Sequence, residues 1–412
     1  MINKVLMIIM DGLSDRPIKE FENKTPLEKA FTPNFDNIVK KSQCGLMSTL
    51  GRGVRPGSDT AHLEIFGYDI NKYYTGRGPI EVAGIGMELQ EGDIAFRGNF
   101  GTVDEKWNIT DRRAGRITEV SEFAKALDGI TIDGVEFIVK PAVAHRAGVI
   151  MRGKGLSSNI TDNDPHVVGQ KVSTVIPKDN SKEAIFTANV LNKFMKQSYD
   201  ILKNLETNKK RKQEGKFEAN FLLLRGAGTY PKGMQKFNKK YSFNKSACVA
   251  GGGLYKGIGA FLGMDIINVE GATALPNTNV DNKIETTIDL LNNKGYDFVF
   301  LHIKPTDSLA EDGNYMGKKE FIEKVDKSIE KLLHLNDDIL IIVTADHSTA
   351  CELKAHSADP VPIMFCGNGI LSDDVKEFGE RPFSHGSLGF IEGKDVMQLV
   401  LNILGRLPLI GA

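Results

Sequence analysis

The chain predicts an α/β fold: a mostly parallel sheet flanked by helices, with an α+β domain inserted between the two halves of that core. Three observations carry this expectation. An apolar run at residues 5–10 closes on Asp11-Gly12, and another at 339–343 closes on Thr344-Ala345-Asp346-His347. A β-branched apolar run ending in an acid reads as a buried strand that stops at an active face. Strand-like and helix-like segments alternate beyond residue 215, the pattern of a parallel sheet covered on both faces. Residues 76–178 instead carry many short strand-like runs separated by glycines and charged turns. The core is therefore placed at 1–75 and 215–412, and the insertion at 76–214.

The elements follow in order. Residues 4–10 form the first strand. Thr32-Pro33-Asn34 opens a helix running through Val39, since proline suits the first helical turn. Residues 45–50 read as a strand, and a glycine-rich turn at 51–57 leads to Ser58, expected as a helix N-cap with Asp59 in the first turn. Within the insertion, 94–100 and 135–139 read as strands and 182–204 as a long helix. The basic stretch 209–215 reads as a solvated loop, because it lacks the interleaved aromatics of a nucleic-acid surface. Beyond it, 221–224, 298–303 and 339–343 read as buried core strands, alternating with helices at 283–293, 317–333 and 394–404. The run Gly251-Gly252-Gly253-Leu254-Tyr255-Lys256-Gly257 fits neither a Walker A loop nor a dinucleotide fingerprint. It reads as a tight turn, with Lys256 a candidate substrate contact.

Composition narrows the class. The chain has 412 residues, enough for two domains, and a formal net charge of −1. No global field draws it to nucleic acid or to an anionic membrane, so neither partner is expected. No apolar stretch reaches the length of a membrane span, and the N-terminus enters a strand without a signal-peptide cleavage site. The 4 cysteines are scattered, which reads as a reducing, cytoplasmic setting.

The chemistry-bearing residues are mostly acids and histidines at element ends. Adjacent Asp346 and His347 can both reach one cation, and Asp11 ends the companion strand. Asp307 and His356 are further candidates. Each alone is an ordinary turn or loop residue, but several converging on one sheet edge are less easily explained that way. Ser58 is the candidate nucleophile. A serine hydroxyl needs a base or a metal, and with no Ser/His/Asp triad visible, metal activation is the consistent option. Arginines concentrate in the insertion: Asp111-Arg112-Arg113-Ala114-Gly115-Arg116, with Arg97, Arg146 and Arg152 nearby. Guanidinium forks bind carboxylate and phosphate, although a solvated face also fits so many arginines. Asp162-Asn163-Asp164-Pro165-His166 is a polar turn that either holds a base or merely turns the chain.

Met10-Asp11-Gly12, Gly57-Ser58-Asp59-Thr60-Ala61-His62, Gly76-Arg77-Gly78-Pro79, the 111–116 cluster, Asp164-Pro165-His166, Leu224-Arg225-Gly226-Ala227-Gly228, Asp346-His347-Ser348-Thr349 and the 356–362 segment together resemble the archaeal-type, 2,3-bisphosphoglycerate-independent phosphoglycerate mutases of the alkaline phosphatase superfamily. The likeness runs through nearly the whole chain. It implies an alkaline-phosphatase-like core with an inserted substrate-binding domain, and two divalent metal ions. One would be held by Asp11, Ser58, Asp346 and His347, the other by Asp307, His356 and the residue four after Asp307. The family has histidine there; this chain has Glu311, which favours manganese or magnesium over zinc. The resemblance further implies interconversion of 3-phosphoglycerate and 2-phosphoglycerate in glycolysis and gluconeogenesis through a phosphoserine at Ser58, with no bisphosphoglycerate. Either Asp111 or Asp164 would serve as the base. Arg97, Arg112, Arg113, Arg116, Arg146, Arg152, Arg225, Lys256 and Lys304 would bind the substrate. A phosphomonoester hydrolase or another phosphomutase on the same core, or a paralogue that binds without catalysing, are the alternatives.

Overall fold

An eight-stranded sheet organises the first of two units in the computed structural model, which describes residues 2–411. Its strands run in the order Asp265–Ile267, Ser246–Val249, Phe298–Ile303, Lys4–Met10, Ile339–Thr344, Val361–Cys366, Ser42–Ser48, Gly389–Glu392. The first five are mutually parallel, Val361–Cys366 is antiparallel to both neighbours, and Gly389–Glu392 returns parallel to Ser42–Ser48. Residues 5–10 and 298–303 are fully or almost fully buried, as expected of central strands covered on both faces. The helices Val280–Asn293 and Tyr315–Ile329 supply cover, each started by an asparagine side chain that accepts an orphan backbone N–H at its N-terminus.

Register sets the site. Met10 lies opposite Ile303, and Ile9 opposite both His302 and Thr344. The three central strands therefore end level, and Asp11, Lys304 and the Ala345-Asp346-His347 segment leave the sheet at one edge. This unit takes the residues up to Lys72 and those from Gln235 onward.

The second unit, Tyr73–Met234, is a six-stranded antiparallel sheet in the order Ile109–Asp111, Ile94–Val103, Arg146–Arg152, Val135–Pro141, Ile130–Ile132, with Phe221–Gly228 paired to Ile94–Val103. The helix Lys182–Asn204, capped by Ser181, packs on it; Phe194 stacks on Phe137 at 3.8 Å. Two expectations change here. The 221–224 strand joins this antiparallel sheet and not the parallel core, so the unit extends to Met234 where the sequence placed its end at 214. The 209–215 stretch is largely helix, Glu206–Gln213, and not a loop: its lysines, arginine and glutamine are good helix formers, and Asn208 ties it to the Leu202 and Ala219 carbonyls. Among the described residues no helix is long and apolar enough to cross a membrane.

Candidate metal centre and arginine cluster

In the first unit, Asp11, Asp346 and His347 bring one ligand atom each within 4.8 Å of the others, and Asp307, His347 and His356 form a second such group sharing His347. The local structure explains each placement. Gly12 turns the chain at φ +60, where a Cβ would lie 2.5 Å from Thr349 Oγ1 and 2.8 Å from Asp307 Cβ, so only glycine lets these segments meet. Asp307 lies in the first turn of the helix Pro305–Glu311, directly after the Phe298–Ile303 strand. His356 lies opposite Thr349 in a two-stranded ribbon.

Hydrogen bonds anchor one ring nitrogen of each imidazole. Thr349 Oγ1 donates to Asp307 Oδ1 at 2.6 Å, so its lone pair accepts from His347 Nδ1 at 3.1 Å. That leaves His347 Nε2 facing Asp346 Oδ2 at 3.2 Å and Asp11 Oδ1 at 3.3 Å. His356 Nδ1 donates to the Pro56 carbonyl at 2.9 Å, which leaves Nε2 facing Asp307 Oδ1 at 3.5 Å. Both histidines thus turn Nε2 inward with the other nitrogen anchored, the arrangement of metal-ligating imidazoles.

The charge is unbalanced. Asp11, Asp307 and Asp346 are fully buried, and Lys304 is the lysine set between Asp11 and Asp307, 3.3 Å from Asp11 Oδ2 and hydrogen-bonded to Asp307. Burial and the Asp346 carboxylate resist ionisation of Asp11, yet Lys304, His302 and His347 hold it below the usual carboxylate range. Asp346 is held well below that range despite its burial, chiefly by His347. In return, Asp346 and then Asp11 and Asp307 push His347 up to about 9 against its burial. Asp11 Oδ1 and Asp346 Oδ2 are buried without a hydrogen-bond partner. Two orphaned carboxylate oxygens beside an inward-facing imidazole suit a divalent cation bound by oxygen and nitrogen.

Ser58 is the first residue of the helix Ser58–Ile65; Gly57 takes the N-cap position, and no side chain caps it. The expected N-cap role is corrected, which frees the hydroxyl. It lies 3.2 Å from His347 Nε2 and is nearly buried. His62, one turn on, donates from Nδ1 to the Ser58 carbonyl at 2.6 Å and lies 3.6 Å from Asp346 Oδ2. Glu311 falls outside both ligand groups, exposed at the end of its helix. Lys256 turns away to Asn268 Oδ1 at 2.9 Å; the chain bends at Gly251-Gly252, as expected of a turn, and enters the helix Gly253–Leu262 directly after it.

The second unit holds a separate cationic cluster. Arg112 binds Asp164 with two nitrogens, at 3.2 and 2.6 Å, and Arg112 and Arg225 both donate to His166 Nδ1 at 3.2 Å. Arg77 and Arg97 share Glu81 Oε1. Arg97 stands directly opposite Arg225 in the strand register, a destabilising like-charge pair. Burial, partly offset by Glu81 and reinforced by Arg225, Arg146 and Arg77, pulls the Arg97 guanidinium down to about 10. Burial and then Arg146, Arg113 and Arg97 pull His145 down to about 4. Such a surplus of guanidinium suits an anion. Asp164 is held below the carboxylate range against its burial by Arg112, while Asp111 Oδ1 accepts the N–H groups of Arg113 and Gly115.

Two of the expected arginines lie elsewhere. Arg152 is committed to Asp93 through Nε and Nη2, the latter at 2.7 Å, and Arg116 lines a cleft with Phe123 and Phe217. Sequence reasoning passed over Arg77, His166, His62 and His302. Arg77, His62 and His166 sit inside motifs already singled out. His302 carried its own signal, a histidine within an otherwise apolar strand.

Comparison with known proteins identifies the family. The family model for 2,3-bisphosphoglycerate-independent phosphoglycerate mutase matches residues 39–208. A mutase of that description from Methanocaldococcus jannaschii is 46% identical over 413 residues, covering 99% of each chain, and one from Archaeoglobus fulgidus is 44% identical over 414 residues, covering 99% of this chain and 100% of its own. Among solved structures, a protein from Pyrococcus horikoshii superimposes with a TM-score of 0.85 at 36% identity over 100% of both chains. The cofactor-independent phosphoglycerate mutase of Thermoplasma acidophilum gives 0.75 at 36% identity, covering 98% of this chain and 100% of its own. With near-complete coverage at identities well above the level of chance, the chain belongs to the 2,3-bisphosphoglycerate-independent phosphoglycerate mutases.

Proposed function

We propose that this protein interconverts 3-phosphoglycerate and 2-phosphoglycerate by passing the phosphoryl group through Ser58, as a cytoplasmic enzyme of glycolysis and gluconeogenesis. The observation that carries the reading is the uncapped, nearly buried Ser58 hydroxyl 3.2 Å from His347 Nε2, beside the orphaned oxygens of Asp11 and Asp346. Asp11, Asp346, His347 and Ser58 would hold one divalent ion, and Asp307 and His356 a second, sharing His347 or recruiting Glu311. Oxygen-rich donors favour manganese or magnesium, with zinc the alternative. Such ions lower the pKa of the serine hydroxyl and neutralise phosphoryl oxygens when bound.

In the first half-reaction the Ser58 Oγ–P bond forms as the P–O bond to carbon 3 breaks, and the leaving oxygen takes a proton. In the second, the 2-hydroxyl of glycerate loses a proton, attacks the phosphoserine and frees Ser58. Asp111 or Asp164 would serve as the base for that hydroxyl: Asp111 Oδ1 accepts the backbone N–H groups of Arg113 and Gly115, and Asp164 is the counter-charge of Arg112. Arg97, Arg112, Arg225 and Arg146 recognise the anionic groups, with Arg113 beside them; Arg116 and Arg152 have other surroundings.

The deciding experiment is an enolase-coupled assay on 3-phosphoglycerate with manganese, no bisphosphoglycerate, and a parallel readout of free phosphate. Product without phosphate supports the mutase. Phosphate without product moves the chain to the phosphomonoester hydrolases.

A further inference from the structure

The glycine run at 251–253 delivers Tyr255, not Lys256, to the metal centre. Tyr255 is 3% exposed. Its ring lies flat on the His302 imidazole, centroids 3.4 Å apart and planes 16° apart. Gly252 makes room for it: a Cβ at that position would lie 2.9 Å from Tyr255 Cδ2. The hydroxyl donates to Asp11 Oδ2 and lies within hydrogen-bonding reach of Ser58. A phenol carries its proton at neutral pH, so the hydroxyl is a donor.

The consequence falls on Asp11, whose two oxygens have different surroundings. Oδ2 is enclosed by the Tyr255 hydroxyl, by His302 Nε2 at 3.3 Å and by Lys304 Nζ at 3.3 Å. Oδ1 has no hydrogen-bond partner and faces His347 Nε2 at 3.3 Å. A carboxylate free to rotate would offer either oxygen, or both, to a cation. We propose that Tyr255, braced by His302, is a positioning residue that locks Asp11 as a one-oxygen ligand for a hard divalent cation and sets the Ser58 hydroxyl beside it. This rests on reading Asp11, Asp346 and His347 as a cation site. Outer partners of this kind hold ligand geometry, and removing one typically costs 10–100-fold in metal affinity.

The test is a manganese titration by calorimetry of the full chain after chelator treatment, on wild type, Tyr255→Phe, Gly252→Ala and Asp346→Asn. Tyr255→Phe keeps the ring stack and loses only the hydroxyl. It should bind manganese about 10–100-fold more weakly, with metal-free unfolding temperature within a few degrees of wild type, and its kcat should fall at saturating metal with little change in KM. Gly252→Ala, which pushes the ring, should weaken binding by a smaller factor. If Asp346→Asn weakens binding while Tyr255→Phe and Gly252→Ala both match wild type, the site stands and the brace is overturned. If Asp346→Asn also binds as wild type does, the cation reading fails, and the brace with it.

Discussion

The two units concentrate opposite charge by opposite architectural means. In the first, three carboxylates are buried at the level ends of parallel strands, where Asp11 Oδ1 and Asp346 Oδ2 lack partners. In the second, guanidinium groups gather on an antiparallel sheet and the loops beside it, with Arg97 set directly against Arg225. Neither arrangement favours stability, since uncompensated buried charge and like-charge cross-strand pairs are both costly. What the contrast teaches is that each unit carries a surplus of one charge, negative in the first and positive in the second, which fits the cation and anion sites proposed above. The first unit hides its surplus charge fully, whereas the second leaves its arginines partly exposed.

The sharpest way to break this comparison is at Ser58. Ser58→Ala should abolish turnover, by on the order of 10⁴–10⁶-fold for a true nucleophile, with an unchanged unfolding temperature. Substantial residual activity in the coupled assay would sink the nucleophile assignment. Next comes the cationic side. Arg97→Met removes the like-charge pair and a half-buried guanidinium, so the unfolding temperature should rise while kcat/KM falls about 10–100-fold, the worth of a charge-assisted contact. A fall in both quantities would mean that Arg97 serves the fold.

Glu311→His probes the second ligand group. With histidine there, metal preference should move toward softer ions such as zinc. An unchanged profile would mean that Glu311, exposed and outside the group, is no ligand. The smallest effect is expected at Glu380, a carboxyl remote from the ligand groups that burial pushes up to about 7 from an ordinary 4.5. It accepts from Thr25 Oγ1 at 2.8 Å and from the Asp15 N–H at 3.2 Å. The folded chain keeps this proton where the unfolded chain has lost it. Its stabilising contribution is therefore complete below about pH 4.5 and lost as pH rises through about 7. Glu380→Gln should flatten the fall in unfolding temperature between pH 5 and 8; an identical pH slope would assign that response to other groups.

Much of this was legible in the sequence where local pattern suffices. The Lys182–Asn204 helix matches the range read from the sequence, and the strands around 4–10, 298–303 and 339–344 ended within a residue or so of where their apolar runs stop. The acids and histidines at those ends were equally visible. The 221–224 strand shows the limit. Its burial was legible, but not its sheet, because an apolar run looks alike whether its partner is parallel or antiparallel. Glu311, Arg116, Arg152 and Lys256 show the same limit for side chains, since motif position says nothing of which way each one turns.

By itself, then, the sequence determined the elements, the acidic strand ends and the family, because periodicity and motif spacing are properties of neighbouring residues. Only the tertiary structure decided that His347 belongs to both ligand groups, that Tyr255 reaches Asp11 from 244 residues away, and that Arg97 faces Arg225. Those contacts depend on strand register and on packing within a few ångströms, which chain-distant segments acquire only when they share one fold.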